Sequence, residues 1–147
     1  MQDLGFNYRI PDVLCALGSS QLTRLDQFVN RRNEIANQYN SYFANHLDKI
    51  EPFEVNSNTK SAYHIYVVKL KNGSRDDIFR KLKEVDIGVN VHYMPIYLHP
   101  YYLSLGYVQG LCSVAENIYS QMITLPMFPL LKDEEVEYIC NKLISLI

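Results

Sequence analysis

The sequence predicts an α/β fold in which helices flank a small sheet, and three observations carry that assignment. Through most of the first fifty positions apolar residues recur at spacings of three and four, the period of an amphipathic helix. From His64 the period changes to β-branched and aromatic runs that read as strands. The 147 residues hold no internal repeat or low-complexity tract, and their length suits one domain. Such a mixture of strands and helices closes its core by packing helices on a sheet.

The elements follow in order. Met1–Ile10 reads as an extended segment, with Leu4, Phe6, Tyr8 and Ile10 alternating against Gly5, Asn7 and Arg9. Pro11 suits the first turn of a helix, where its missing N–H costs nothing. Helical patterning runs from Asp12 to about His46, with a break expected near Gly18–Ser20. Its stripe passes through Leu22, Leu25, Phe28 and Val29 to Ile35, Ala36, Tyr39, Tyr42, Phe43 and Leu47. A helix of that length needs a partner packed along it.

His64–Leu70 is expected to be a strand closed by the Asn72-Gly73 turn. Ser74 then serves as N-cap with Asp77 three residues on, opening a helix that carries Ile78, Phe79, Leu82 and Val85. After Gly88, Val89–Tyr93 reads as a second strand. Ser113–Met122 is helical, Ile123–Leu125 a short strand, and Pro126 and Pro129 frame a loop. Asp133–Leu146 closes the chain with Val136, Ile139, Cys140, Leu143 and Ile144 on one helix face.

Composition excludes several function classes. A net charge of −2, from 14 Lys+Arg against 16 Asp+Glu, gives no basic footprint for nucleic acid. No apolar run reaches the length of a membrane span, and the start lacks a signal-peptide pattern, so a cytoplasmic protein is expected. Cys15, Cys112 and Cys140 form no CxxC spacing, which indicates neither a zinc site nor a disulfide framework. All three are expected to be reduced, with Cys15 and Cys140 on apolar helix faces as small hydrophobes. Nucleotide-binding, zinc-protease and hydrolase-elbow motifs do not occur.

The unusual feature is 12 Tyr and 6 Phe with no Trp. His92 and His99 flank Met94–Tyr102, a stretch stiffened by Pro95 and Pro100 and crowded with Tyr93, Tyr97, Tyr101 and Tyr102. Rings presented on a stiff loop suit a polar, partly flat ligand; alternatively, Tyr101, Tyr102 and Tyr107 pack the loop onto the sheet. His46 falls near a helix C-terminus, where the dipole favours a cation. His64 is set beside Tyr66 by strand alternation, a structural placement. Asn7 and Arg9 form either an anion or carbonyl clamp or a solvated edge. Glu116 and Asp133-Glu134-Glu135 read as helix-surface and first-turn acids with no catalytic weight.

These residues resemble a known family. LGFNYRIPDVLCALGSSQL (4–22), RRNEIANQYNSYF, AYHIYVV, VHYMPIYLHPYY and SVAENIYSQMITLPMFPLLKDEEVEYI are similar, in order, to the C-terminal region of the DegT/DnrJ/EryC/StrS sugar aminotransferases. The resemblance covers nearly the whole chain. It implies the C-terminal small domain of a fold-type I enzyme that uses pyridoxal 5′-phosphate (PLP), acts as a homodimer and takes glutamate as amino donor. Residues 1–22 would pack on a large domain. GVNVHYMPIYLHPYY resembles the branch that aminates C4 of a UDP-linked 4-keto-6-deoxy-N-acetylhexosamine in pseudaminic acid biosynthesis.

By the same resemblance Asn7 reaches a PLP phosphate across the dimer, Arg9 lines that shared site, and His92, Tyr93 and Tyr101 contact the nucleotide-sugar. No catalytic residue and no metal ligand is implied. None of the eight lysines stands in the family's Ser-His-Lys context, so the chain alone is expected neither to hold PLP nor to transaminate. One hydrogen bond from Asn7 to a phosphate is worth about 1.5–3 kcal/mol, roughly 10- to 150-fold in affinity, and cannot replace an aldimine. The competing reading is an autonomous module that binds a nucleotide-sugar, or assembles with protein, on the same fold. An exposed apolar strip at Leu4, Phe6, Tyr8 and Ile10 is expected to promote association.

Overall fold

The computed structural model describes residues 8–147. Its sheet has three antiparallel strands in the order β1-β2-β3: Ile50–Pro52, Tyr66–Leu70 and Met122–Leu125. The helices are α1 (Asp12–Leu22), α2 (Leu25–Phe43), α3 (Arg75–Glu84), α4 (Pro100–Ser104), α5 (Ser113–Gln121) and α6 (Asp133–Ser145). α2, α3 and α6 cover one face of the sheet, and α5 meets β2 from another side.

β2 sits in the middle because its alternation serves two layers. Tyr66, Val68 and Leu70 are buried, while Val67 and Lys69 between them are half-covered. The buried set meets Ile35, Tyr39 and Phe43 of α2 and Val136, Cys140 and Leu143 of α6 in one core. The Tyr39 and Tyr66 rings stack at 4.7 Å. Each buried phenol finds an acceptor, as it must: Tyr39 donates to the Pro126 carbonyl at 2.9 Å and Tyr66 to Asn40 Oδ1 at 2.6 Å.

Several expectations meet their structure here. Ser74 caps α3 by accepting from the Asp77 N–H, and α5, β3 and α6 stand close to where the periodicity puts them. The long N-terminal helix does break, but at Thr23–Arg24, and Gly18 lies inside α1 with open space around it. The Thr23 hydroxyl donates to the Ser20 carbonyl at 2.7 Å, a local bond that competes with helix propagation. Pro11 precedes the first helical residue instead of occupying it.

Val89–Tyr93 is not a strand. Asn90 makes one isolated bridge with Thr124, and its Oδ1 then accepts from the Val91 N–H at 2.8 Å, withdrawing that donor from a ladder. β1 was not expected. Pro52 fits it because an edge strand can spare an N–H.

α1 buries none of its residues; Val13, Leu14, Leu17 and Leu22 are all exposed. Cys15 is therefore exposed, its thiol donating to the Ile10 carbonyl at 4.0 Å, where an apolar contact was expected, and Cys112 is exposed as well. Cys140 is buried in the core, which pushes its thiol up to about 12. Tyr8 and Ile10 are exposed, and Leu4 and Phe6 lie outside the described residues.

Candidate functional site

α2 supplies the core on one stripe and fastens two loops with the next. Arg32 Nη1 donates to the carbonyls of Tyr63 at 2.8 Å, His64 at 3.3 Å and Met127 at 3.0 Å. Asn33 Nδ2 reaches the Ser61 carbonyl at 3.0 Å. Arg31 Nη2 holds the Leu131 carbonyl at 2.7 Å and Asp133 Oδ1 at 2.6 Å. The segments 61–64 and 126–131 are thus bound to one rigid rod, and the space between them is kept open.

That space is a cleft of about 580 Å³, and a second cleft of about 360 Å³ adjoins it; both volumes suit small ligands. His64, Ile65 and His92 line both. The larger adds Asp86, Asn90 and Thr124 against an apolar wall that includes Phe128 and Ile139, and the smaller adds Ser61 and Tyr63. His64 is not the strand residue expected beside Tyr66. Tyr63 has φ of 44°, the strand starts only at Tyr66, and His64 is left exposed on the rim. Alternation could not show this, because the turn at Tyr63 breaks the register that alternation assumes.

His92 is the ring that both clefts share with a defined partner. Its Nδ1 lies 3.0 Å from Thr124 Oγ1. The His92–Tyr93 peptide is cis, and the Tyr93 ring stands edge-on to His92 at 4.6 Å while 70% exposed. A half-buried, bonded imidazole beside an open aromatic face offers one donor or acceptor atom and one stacking surface.

The other expected site residues are spread apart. Tyr101 is 68% exposed and packs edge-on to Tyr102, which packs in turn on Tyr107; Tyr101 lines neither histidine cleft. Arg9 is exposed ahead of α1, and Asn7 lies outside the described residues. Tyr97 is buried, and its hydroxyl donates to Glu116 Oε1 at 2.8 Å. Burial, with Glu116 next, pushes the Tyr97 phenol up to about 12. Glu116 also accepts from the Gly110 N–H at 2.8 Å, so this acid latches the tyrosine-rich segment to α5. No spacing rule could find that pairing across nineteen positions.

The first-turn acids of α6 are structural, as their position implies. Asp133 takes Arg31, and Glu135 Oε2 accepts from the Lys132 N–H at 2.8 Å.

The clefts do not fit PLP on their own. A Schiff-base cofactor needs a lysine at the site, and neither histidine cleft is lined by lysine or arginine. Lys71 pairs with Glu51 and the Leu47 carbonyl, while Lys83 and Lys142 lie over Phe79 and Tyr138. Among the described residues no group of three or more His, Cys, Asp or Glu could hold a metal ion. No helix among them is long and apolar enough to cross a membrane.

The sequence profile of the DegT/DnrJ/EryC1/StrS aminotransferase family matches residues 1–144. The chain belongs to this family. It is 31% identical over 151 aligned positions to the UDP-4-amino-4,6-dideoxy-N-acetyl-beta-L-altrosamine transaminase of Campylobacter jejuni, covering 100% of this chain and 39% of that protein. Helicobacter pylori PseC, an aminotransferase involved in the biosynthesis of pseudoaminic acid, superposes with a TM-score of 0.89 at 28% identity, over 99% of this chain and 39% of its own. Streptococcus pneumoniae Spr1654 in its PLP form gives 0.88 at 32% identity, over 94% of this chain and 36% of its own. The chain therefore spans somewhat over a third of the length of these aminotransferases, with the fold of one part of them.

Proposed function

We propose that this chain is the substrate-binding C-terminal part of a PLP-dependent aminotransferase that aminates C4 of a UDP-linked 4-keto-6-deoxy-N-acetylhexosamine, with glutamate as donor. The observation that carries the reading is the pair of clefts sharing His64 and His92, mainly apolar with a few polar groups and free of lysine. Such clefts can bind and orient a polar sugar. The Schiff-base chemistry belongs to a lysine outside this chain. The names of the Campylobacter and Helicobacter relatives support the sugar class, and so does the resemblance of 88–102 to that branch.

In this reading His92 and Tyr93 meet the nucleotide-sugar, the first by a hydrogen bond and the second by its exposed ring. Tyr101 lies farther out along the same segment. Arg9, with Asn7, reaches a shared site in a cytoplasmic homodimer, Asn7 toward the PLP phosphate. Residues 1–22 pack on the large domain, which gives the exposed leucines of α1 an occupant. The isolated chain is inactive.

Two measurements on the 147-residue chain test this. Millimolar UDP-N-acetylglucosamine should shift the backbone amide resonances of residues 64, 92, 93 and 124, and His92→Ala should abolish those shifts. Absence of any shift around either cleft would overturn the binding role. PLP followed by borohydride should label the eight lysines only at background. Stoichiometric labelling of one lysine contradicts the placement of the cofactor outside this chain.

A further inference from the structure

Thr124 carries a hydrogen-bonding group that the described function leaves unused. It is the one buried polar residue among the described residues, 4% exposed, within β3. Its backbone N–H and carbonyl are taken by Asn90 at 2.8 and 3.1 Å. Its hydroxyl makes one side-chain hydrogen bond among the described residues, to His92 Nδ1.

A hydroxyl has one proton to place and two lone pairs to offer, and a buried one places its proton on an acceptor. If His92 carried its proton on Nδ1, that nitrogen would donate to Oγ1, and the threonine proton would point at no protein acceptor. If Nδ1 is bare, the hydroxyl donates to it and both groups are satisfied. The second arrangement leaves the imidazole proton on Nε2, the ring nitrogen not engaged by Thr124. The orientation of the ring is doubly held, since the Asn90–Thr124 bridge fixes the segment two residues before His92 on the same strand residue.

We infer that Thr124 is a positioning residue that holds neutral His92 as its Nε2–H tautomer, so that the clefts present a hydrogen-bond donor to an oxygen of the ligand. The ligand group this donor selects is an acceptor without a proton of its own, such as a phosphate or carbonyl oxygen. The inference deepens the proposed binding role of His92 and rests on it for the ligand; the tautomer itself does not depend on it. Thr124→Val would remove the donor at nearly constant shape and release the ring to exchange between tautomers. Thr124→Ser keeps the hydroxyl.

The deciding experiment is a long-range proton–nitrogen correlation spectrum of the ligand-free chain in mildly alkaline buffer. The expected His92 pattern has a protonated-type shift at Nε2 and a bare-type shift at Nδ1. Thr124→Val is expected to average the two, and Thr124→Ser to restore the wild-type pattern. UDP-N-acetylglucosamine affinity should fall about tenfold in Thr124→Val, the scale of one net hydrogen bond, and recover in Thr124→Ser. A wild-type proton on Nδ1 overturns the inference even where the valine variant fails to fold, as does a valine variant that keeps the Nε2–H pattern. If the pattern is found but UDP-N-acetylglucosamine binds nowhere, the proposed function fails and the tautomer assignment stands.

Discussion

Arg32 shows how far a single side chain can act in this fold. Its guanidinium is half-buried and, among the described residues, forms no ion pair and instead donates to three carbonyls of two loops. Hydrogen bonds from a charged donor are the stronger kind, about 1.5–3 kcal/mol each in net terms. Arg32→Ala is therefore expected to lower unfolding stability by about 2–3 kcal/mol in urea titration. Arg32→Lys should recover less than half of that, since an ammonium on a flexible stem lacks the planar fork. Equal stability of wild type and the lysine variant would refute the clamp. The sequence shows Arg32 only as one letter of a family-like run. Its acceptors are backbone atoms 31, 32 and 95 positions away, and carbonyls carry no residue-type signal. His92 and Tyr93 could be singled out as candidates for the opposite reason, because their chemistry is in their side chains and the stretch that follows holds Pro95 and Pro100.

At the scale of elements, α1 and α2 are neighbours with different means of support. α2 buries Ile35, Ala36, Tyr39 and Phe43, whereas α1 buries nothing and has 11 residues. Isolated helices of that length are marginal in water. Amide exchange should therefore be fast across 12–22 and slow across 35–43 in the chain by itself, as expected where one helix has packing and the other has none. Strong protection of α1 in a dilute monomer would contradict this. Helices were legible from the sequence because a stripe repeated over several turns survives local irregularity. Short strands were not. β1 is three residues ending in proline, and Val89–Tyr93 has strand composition yet forms one bridge, because the Asn90 side chain takes a donor the ladder needs.

Over the whole molecule, pH acts at two ends of the range through identified groups. The Gln38 amide and the Arg31 guanidinium hold the Asp133 carboxyl below its ordinary value of 3.8. The unfolded chain therefore binds the proton more readily, so this contribution is complete above about 3.8 and is lost as pH falls through the lower folded value. Tyr97 works in the opposite sense. Its folded phenol, at about 12, keeps a proton that the unfolded phenol releases near 10, so stability declines as pH rises through that interval. Cys140, also pushed up by burial to about 12, adds to the alkaline slope. Urea midpoints against pH should show a shallower acid limb in Asp133→Asn and a shallower alkaline limb in Tyr97→Phe; unchanged limbs would dissociate these groups from stability. One further property of the molecule comes from the bonds of Arg32. The rim at His64 and the rim at Met127 end on the same nitrogen, so the gap between them has a gauge set by one side chain. A residue inserted into either loop cannot be absorbed where it is placed. It is transmitted across the opening, and the width available to a ligand changes on both sides at once.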